Sequence, residues 1–125
     1  MLLAEQEQDL VNFLAVIYCR IPWGKFRTKK NPHDVFNHRV KAAARRATLY
    51  EFASRLCNFF GLQSMPVEGQ RLLDALRPYE TKVLNTISSE SVPLCVRAII
   101  LGKEIKAAKK AAAKEINKTN DKEEE

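Results

Sequence analysis

Residues 10–20 read LVNFLAVIYCR, and this stretch decides the fold class. On a helix its apolar side chains would cover more than half of the circumference, which is typical of a helix buried at the centre of a protein. The apolar positions of this helix, with one from its first turn, are Leu3, Leu10, Phe13, Leu14, Val16, Ile17 and Tyr18. We expect the helix to run from about residue 3 to residue 20 and to end before Pro22 and Gly24.

The next segment also has helical spacing, and it predicts a long second helix from residues 32–34 to Gly61. A glycine at that end suits the left-handed conformation that often terminates helices. The predicted core stripe of this helix is Phe36, Val40, Ala43, Ala47, Tyr50, Ser54 and Cys57. A second apolar line follows on the opposite face of its C-terminal half: Leu49, Phe52, Leu56 and Phe59. We therefore expect that half to be packed on both sides.

The remaining segments predict further helices and no strand, because apolar and polar residues nowhere alternate over a convincing length. One helix is expected over residues 67–76, one from Pro78 to a break at residues 88–91, and a last one from Ser91 or Val92. The chain is thus expected to be all-α, a compact bundle of about five helices with a long central second helix and a Lys-rich C-terminal helix. Residues 1–118 are predicted to form one domain, and residues 119–125 an acidic polar tail.

The composition is that of an ordinary globular domain. The 125 residues are 46% hydrophobic and 29% charged, and no apolar run approaches the about 20 residues that a membrane helix needs. The sequence begins with Glu5, Glu7 and Asp9 where an export signal would carry basic residues. We expect a soluble cytoplasmic protein without a membrane partner.

Signatures of catalysis are missing from the sequence. His33 and His38 are five residues apart and do not share a helix face, and the carboxylates are scattered. Cys19, Cys57 and Cys95 lie in apolar helical settings without the paired spacing of a metal site, which favours a structural role. We expect no enzymatic activity, no metal, no cofactor and no small-molecule substrate.

Charge is the most informative property of this sequence. The whole chain has a net charge of +6, but residues 20–46 alone contain nine cationic residues against the single acidic Asp34. Such a concentration is typical of a surface that binds a polyanion. The candidate nucleic-acid-binding residues are Lys25, Arg27, Lys29, Lys30, Arg39, Lys41, Arg45 and Arg46.

Other interpretations of the same residues stay open. The cations can be mere solvated surface. Trp23 and Phe26 can stack on bases, contact a partner, or simply anchor their loop to the core. A helical protein-interaction module remains an alternative. A DNA-binding regulator is another, although the segment VEGQRLLDALR, residues 67–77, offers few donors for base edges.

The buried first helix LVNFLAVIYCR, the cationic loop after it and the Lys-rich end resemble the small helical subunit of archaeal type I-A CRISPR Cascade complexes. The resemblance implies a non-enzymatic protein of antiviral defence, present in several copies beside other subunits of a ribonucleoprotein. It also implies contact with the guide RNA–target DNA hybrid or with the displaced DNA strand, while base pairing reads the sequence. The residues that make the contact follow from the charge count, not from a family motif.

Overall fold

A computed structural model describes the backbone of residues 2–25 and 31–124, and the side chains of residues 2–24 and 31–112. Within these residues the molecule is all-α and contains no strand, so the predicted class is confirmed. The α-helices are α1, Ala4–Arg20; α2, Pro32–Ala43; α3, Leu49–Phe59; α4, Val67–Leu76; and α5, Glu80–Glu124. Short 3-10 turns at Trp23–Lys25 and Arg77–Tyr79 follow α1 and α4.

The helix α1 forms the centre of the core, as its sequence predicts. Its side chains Leu10, Phe13, Leu14 and Ile17 are completely buried, and it packs against both α4 and α5. Each such side chain contributes roughly 1.5–3 kcal/mol by leaving water. Leu3 is an exception to the predicted apolar face, because it precedes the first turn and stays exposed.

The predicted long second helix is wrong, because the chain turns between Ala43 and Leu49 and forms α2 and α3 instead. Arg46 in this turn has a φ of 48°, a left-handed conformation that no helix interior accepts. Thr48 then starts α3 with a capping box. Its hydroxyl accepts from the N–H of Glu51, and the Glu51 carboxylate accepts from the N–H of Thr48 at 3.0 Å.

The turn also changes which face of α3 is buried. Leu49, Phe52 and Leu56 are in the core, whereas Tyr50 and Ser54 of the predicted stripe are exposed. The prediction assumed one straight helix over α2 and α3. Because α2 ends at Ala43, the helical spacing of its buried face does not continue into α3. The predicted end of the element is confirmed, because Gly61 adopts a φ of 72° just after α3.

The two C-terminal helices of the prediction meet at a kink and together form the element α5. Glu90 is non-helical, with φ −129° and ψ 31°, so the expected break at residues 88–91 is a kink inside α5, and Pro93 follows it. The helix reaches Glu124, but its side chains are described only to residue 112. The Lys-rich character of the C-terminal helix surface and the domain boundary at residue 118 therefore stay predictions.

Candidate nucleic-acid interface

Two cations and a histidine form an exposed line along the outer face of α2 and the turn that follows it. Phe36, Val40 and Ala43 are buried on the inner face. His38, Lys41 and Arg45, at spacings of three and four residues, are exposed on the opposite one. We call His38, Lys41 and Arg45 the α2 ridge; with Ala42 they line an open cavity of about 150 Å³.

The ridge cations are not neutralised by carboxylates of the described part of the chain. The ion pairs found there join Arg20 to Glu68, Arg55 to Glu51 and Arg97 to Glu7. Asp34 precedes His38 by one turn and lies in the first turn of α2, where the helix dipole favours an acidic residue. The positive end of the ridge is therefore toward Arg45, and its charges face solvent.

The turn after α2 is held by the guanidinium of Arg55 on α3. Its Nη1 donates to the carbonyl oxygens of Arg45 at 2.9 Å and Ala43 at 3.4 Å. The carbonyl of Ala43 is at the end of α2, where backbone acceptors have no partner within the helix, and the carbonyl of Arg45 is in the turn that follows. Arg55 thus fixes the backbone that carries Arg45. Arg46, the next residue, is exposed in the same turn.

Arg39 departs from the predicted phosphate-contact pattern, because it lies on the flank of α2 that faces α3. Its guanidinium carbon is 3.5 Å from the centroid of the Phe59 ring, a close cation–π contact. Phe59 is 37% exposed and packs edge-on against the buried Phe60, with ring centroids 4.8 Å apart. The pair connects the flank of α2 to the core.

Trp23 packs on the side of the molecule where α1, α2 and α3 meet. Its Nε1 donates to the carbonyl oxygen of Tyr18 at 3.2 Å, and its ring lies 5.1 Å from Tyr18 and 5.4 Å from Phe60 between centroids. The side chain is half-buried. Of the interpretations open for Trp23, these contacts favour the anchor of the loop over a stacking surface.

The remaining predicted residues cannot be placed on this face. Phe26, Arg27, Lys29 and Lys30 lie outside the described residues, and so does the side chain of Lys25. Their roles stay predictions. Within the described ranges, the structure thus places Lys41 and Arg45 on one open side together with His38, while Arg39 lies against Phe59 and Arg46 is exposed in the turn.

A second aromatic and cationic contact lies on α3 and α4. The guanidinium carbon of Arg77 is 5.5 Å from the Tyr50 ring centroid, and the Tyr50 hydroxyl donates to Asp74 at 3.0 Å. Tyr50 also borders an open cleft of about 350 Å³ between these helices, lined by a mixture of apolar, hydroxyl and amide side chains. The nearby Asp74 carboxylate makes this cleft a poor site for phosphate.

The described side chains include no group of three or more His, Cys, Asp or Glu residues placed to hold a metal ion. Burial raises the pKa of Cys57 above its ordinary value, and raises the pKa of Cys95 to about 12. A thiol with so high a pKa is an inert nucleophile near neutral pH. These two thiols belong to the core of the protein.

An apolar line runs along the outer face of α5. Val92, Val96 and Ile100 are 58%, 51% and 55% exposed, and their four-residue spacing places them side by side. The helical stretch Val67–Ala112 has an 18-residue window with a mean hydropathy of 1.2, and 39% of that window is buried. By length and composition this stretch suffices to cross a membrane, a test that core helices of soluble proteins also pass.

The geometry of the α2 ridge is suited to holding phosphates, because lysine and arginine supply charge and N–H donors without demanding a particular base. Comparison of the chain with protein-family models, with curated proteins and with solved structures finds no match.

Proposed function

We propose that this chain is a non-enzymatic protein that binds the sugar–phosphate backbone of nucleic acid through the α2 ridge. The observation that carries the proposal is the exposed line of His38, Lys41 and Arg45 without carboxylate partners among the described residues. It lies within a segment, residues 20–46, that holds nine cations and one acidic residue. Solvated surface charge alone is a weaker account, since such charges are normally interspersed with acidic ones.

The ridge would act by neutralising phosphates. Lys41 lies in the last turn of α2 and Arg45 two residues after its end, so the two can contact neighbouring phosphates. Arg45 can bind one in a bidentate manner, while Lys41 acts as a point charge. Release of counterions then makes the affinity fall with salt and leaves it independent of sequence.

The resemblance to CRISPR small subunits suggests the complex in which this binding would take place. In that setting the protein is a cytoplasmic subunit of an RNA-guided complex, touching neighbouring subunits and further copies of itself. Stacked copies would align their ridges along the guide–target hybrid or the displaced strand. No base-reading helix is needed there, because the guide RNA selects the sequence.

The test is the salt dependence of binding to a labelled single-stranded oligonucleotide. We expect Lys41→Ala with Arg45→Ala to weaken binding equally for unrelated sequences and to lower the slope of log affinity against log salt by about two. The matched control is Arg71→Ala with Lys82→Ala, which removes two exposed cations from α4 and α5. A slope that is the same in both double variants would refute the assignment.

A second candidate function, the protein-interaction module, is favoured by the apolar line on α5. Val92, Val96 and Ile100 are exposed opposite the buried face of that helix, and self-association would remove them from water. For this function Val96→Glu should turn a self-associated species into a monomer in light scattering and leave nucleic-acid binding intact. A wild-type protein that is monomeric at every concentration would exclude this form of the alternative.

A further inference from the structure

Phe59 is an aromatic residue that the charge pattern of the sequence does not single out, yet it contacts Arg39 on the flank of α2. We propose that Arg39 and Phe59 form a stacking platform for one unpaired base of a strand whose phosphates lie on the α2 ridge. The inference rests on the proposed function and adds a base contact to it. It also gives Arg39 a role different from that of the ridge cations.

The platform is largely preformed. The guanidinium carbon of Arg39 lies over the Phe59 ring, 3.5 Å from its centroid, and Arg39 is only partly buried. Phe59 is itself held by Phe60, at an interplanar angle of 82°, and Phe60 is completely buried. A surface that is already ordered loses little entropy when a ligand binds.

The donors of Arg39 are also unused within the described part of the protein. Arg39 takes part in none of the ion pairs there, and its recorded contact is with Phe59. Guanidinium planes and aromatic rings are the surfaces on which proteins stack unpaired bases. The in-plane N–H groups remain able to donate to the base edge or to a phosphate while the base covers the plane.

The position of the platform matches one nucleotide of a bound strand. Arg39 follows His38 in the chain and precedes Ala42, a lining residue of the ridge cavity, by one turn. A phosphate held near His38, the ridge residue next to Arg39 in the chain, would place its base on the side of the platform. In a duplex the base faces are covered by their neighbours, so the platform selects unpaired strands.

The second cation and aromatic pair of the described residues lacks these properties. Arg77 is 5.5 Å from the Tyr50 ring, and the Tyr50 hydroxyl is bonded to the Asp74 carboxylate. A negative group at that place repels a phosphate backbone. Arg77 therefore serves as a matched control for Arg39.

The experiment compares Arg39→Lys and Arg77→Lys on two single-stranded oligonucleotides of equal length, one normal and one abasic. Lysine keeps the charge and removes the plane. We expect Arg39→Lys to weaken binding of the normal strand about tenfold, with an unchanged salt slope, and to leave binding of the abasic strand as in the wild type. Arg77→Lys should change neither. Phe59→Leu, which keeps an apolar contact with Phe60, should reproduce the loss.

The outcomes separate this inference from the proposed function. Equal effects of Arg39→Lys on the normal and abasic strands, or no effect on either, would overturn the platform while leaving the ridge intact. Failure of the wild-type protein to bind either strand would overturn the proposed function and the platform with it. Circular dichroism and thermal unfolding of each variant show whether a loss of binding comes from the site or from the fold.

Discussion

Gly102 lies where α5 crosses α1 at a distance that leaves no room for a side chain. A Cβ atom there would be 2.8 Å from Cδ1 of Tyr18 and 3.2 Å from the carbonyl oxygen of Ala15. The Tyr18 ring cannot move aside easily, because it is packed against Trp23 and Phe36. The glycine is therefore required by the close approach of two helices.

We expect Gly102→Ala to lower the free energy of unfolding by about 1–3 kcal/mol. This value is the net change, because the steric cost of the added Cβ should exceed the about 1 kcal/mol by which alanine stabilises a helix relative to glycine. Urea unfolding measures the change. The control is Gly24→Ala, where a Cβ meets no atom within 4 Å. A Gly102→Ala protein as stable as the wild type would mean that α1 and α5 can separate without cost.

Single residues also mark the limit of what the sequence predicts. The core positions of α1, and Phe36, Val40 and Ala43 of α2, follow from spacing alone, and all are buried except the exposed Leu3 and the partly buried Val16. The contact of Arg39 with Phe59 does not follow, because it joins residues that are distant in the chain and meet only when α3 folds back on α2. Charge counting finds the cations but not their partners.

At the level of the elements, the turn between α2 and α3 is what the sequence prediction missed. The apolar spacing runs through the turn almost without interruption, and periodicity is the stronger signal in a sequence. The motif that identifies the new helix start, Thr48 followed three residues later by Glu51, was present. It is reinforced by a tertiary contact, since Oε1 of Glu80 accepts from the N–H of Leu49 at 2.8 Å.

We expect Thr48→Ala to destabilise the protein by about 1 kcal/mol, the usual cost of losing such a cap. Thr81→Ala is the control, because Thr81 is an exposed residue in the first turn of α5. Thermal or urea unfolding compares the two variants. Equal stabilities of the variants would contradict a role for the capping box in separating α3 from α2.

The same cap makes a prediction about pH. The hydrogen bonds from Thr48, and next the charge of Arg55, lower the pKa of Glu51 below its ordinary 4.5. A lowered pKa in the folded state stabilises the protein above the unfolded-state pKa, and this stabilisation is lost as pH falls through the folded value. The stability difference between the wild type and Glu51→Gln should thus be constant near neutral pH and shrink below pH 4.5. A stability difference that grows as the pH falls would contradict a lowered pKa of Glu51 in the folded state.

For the whole molecule, the reactivity of the cysteines measures how cooperatively the helices unfold. Cys95 follows the kink of α5, is 2% exposed, and has a pKa raised by burial to about 12. Cys19 on α1 is only partly buried. Because the thiolate is the reactive form, Cys95 is protected both by its pKa and by the packing of α5 on α1.

We expect iodoacetamide at pH 8 to modify Cys19 in the native protein and to leave Cys95 unmodified until the protein unfolds. With increasing urea, the rate at Cys95 should rise in parallel with the globally unfolded fraction, because α1 and α5 share one core. Peptide mass spectrometry assigns the modified cysteines. If Cys95 reacted in native buffer while circular dichroism stayed unchanged, α5 would open locally at Glu90, and the kink would divide the molecule into separately stable parts. If the modification rate at Cys95 instead followed the globally unfolded fraction, the α2 ridge, the Arg39–Phe59 platform and α5 would belong to one cooperative unit.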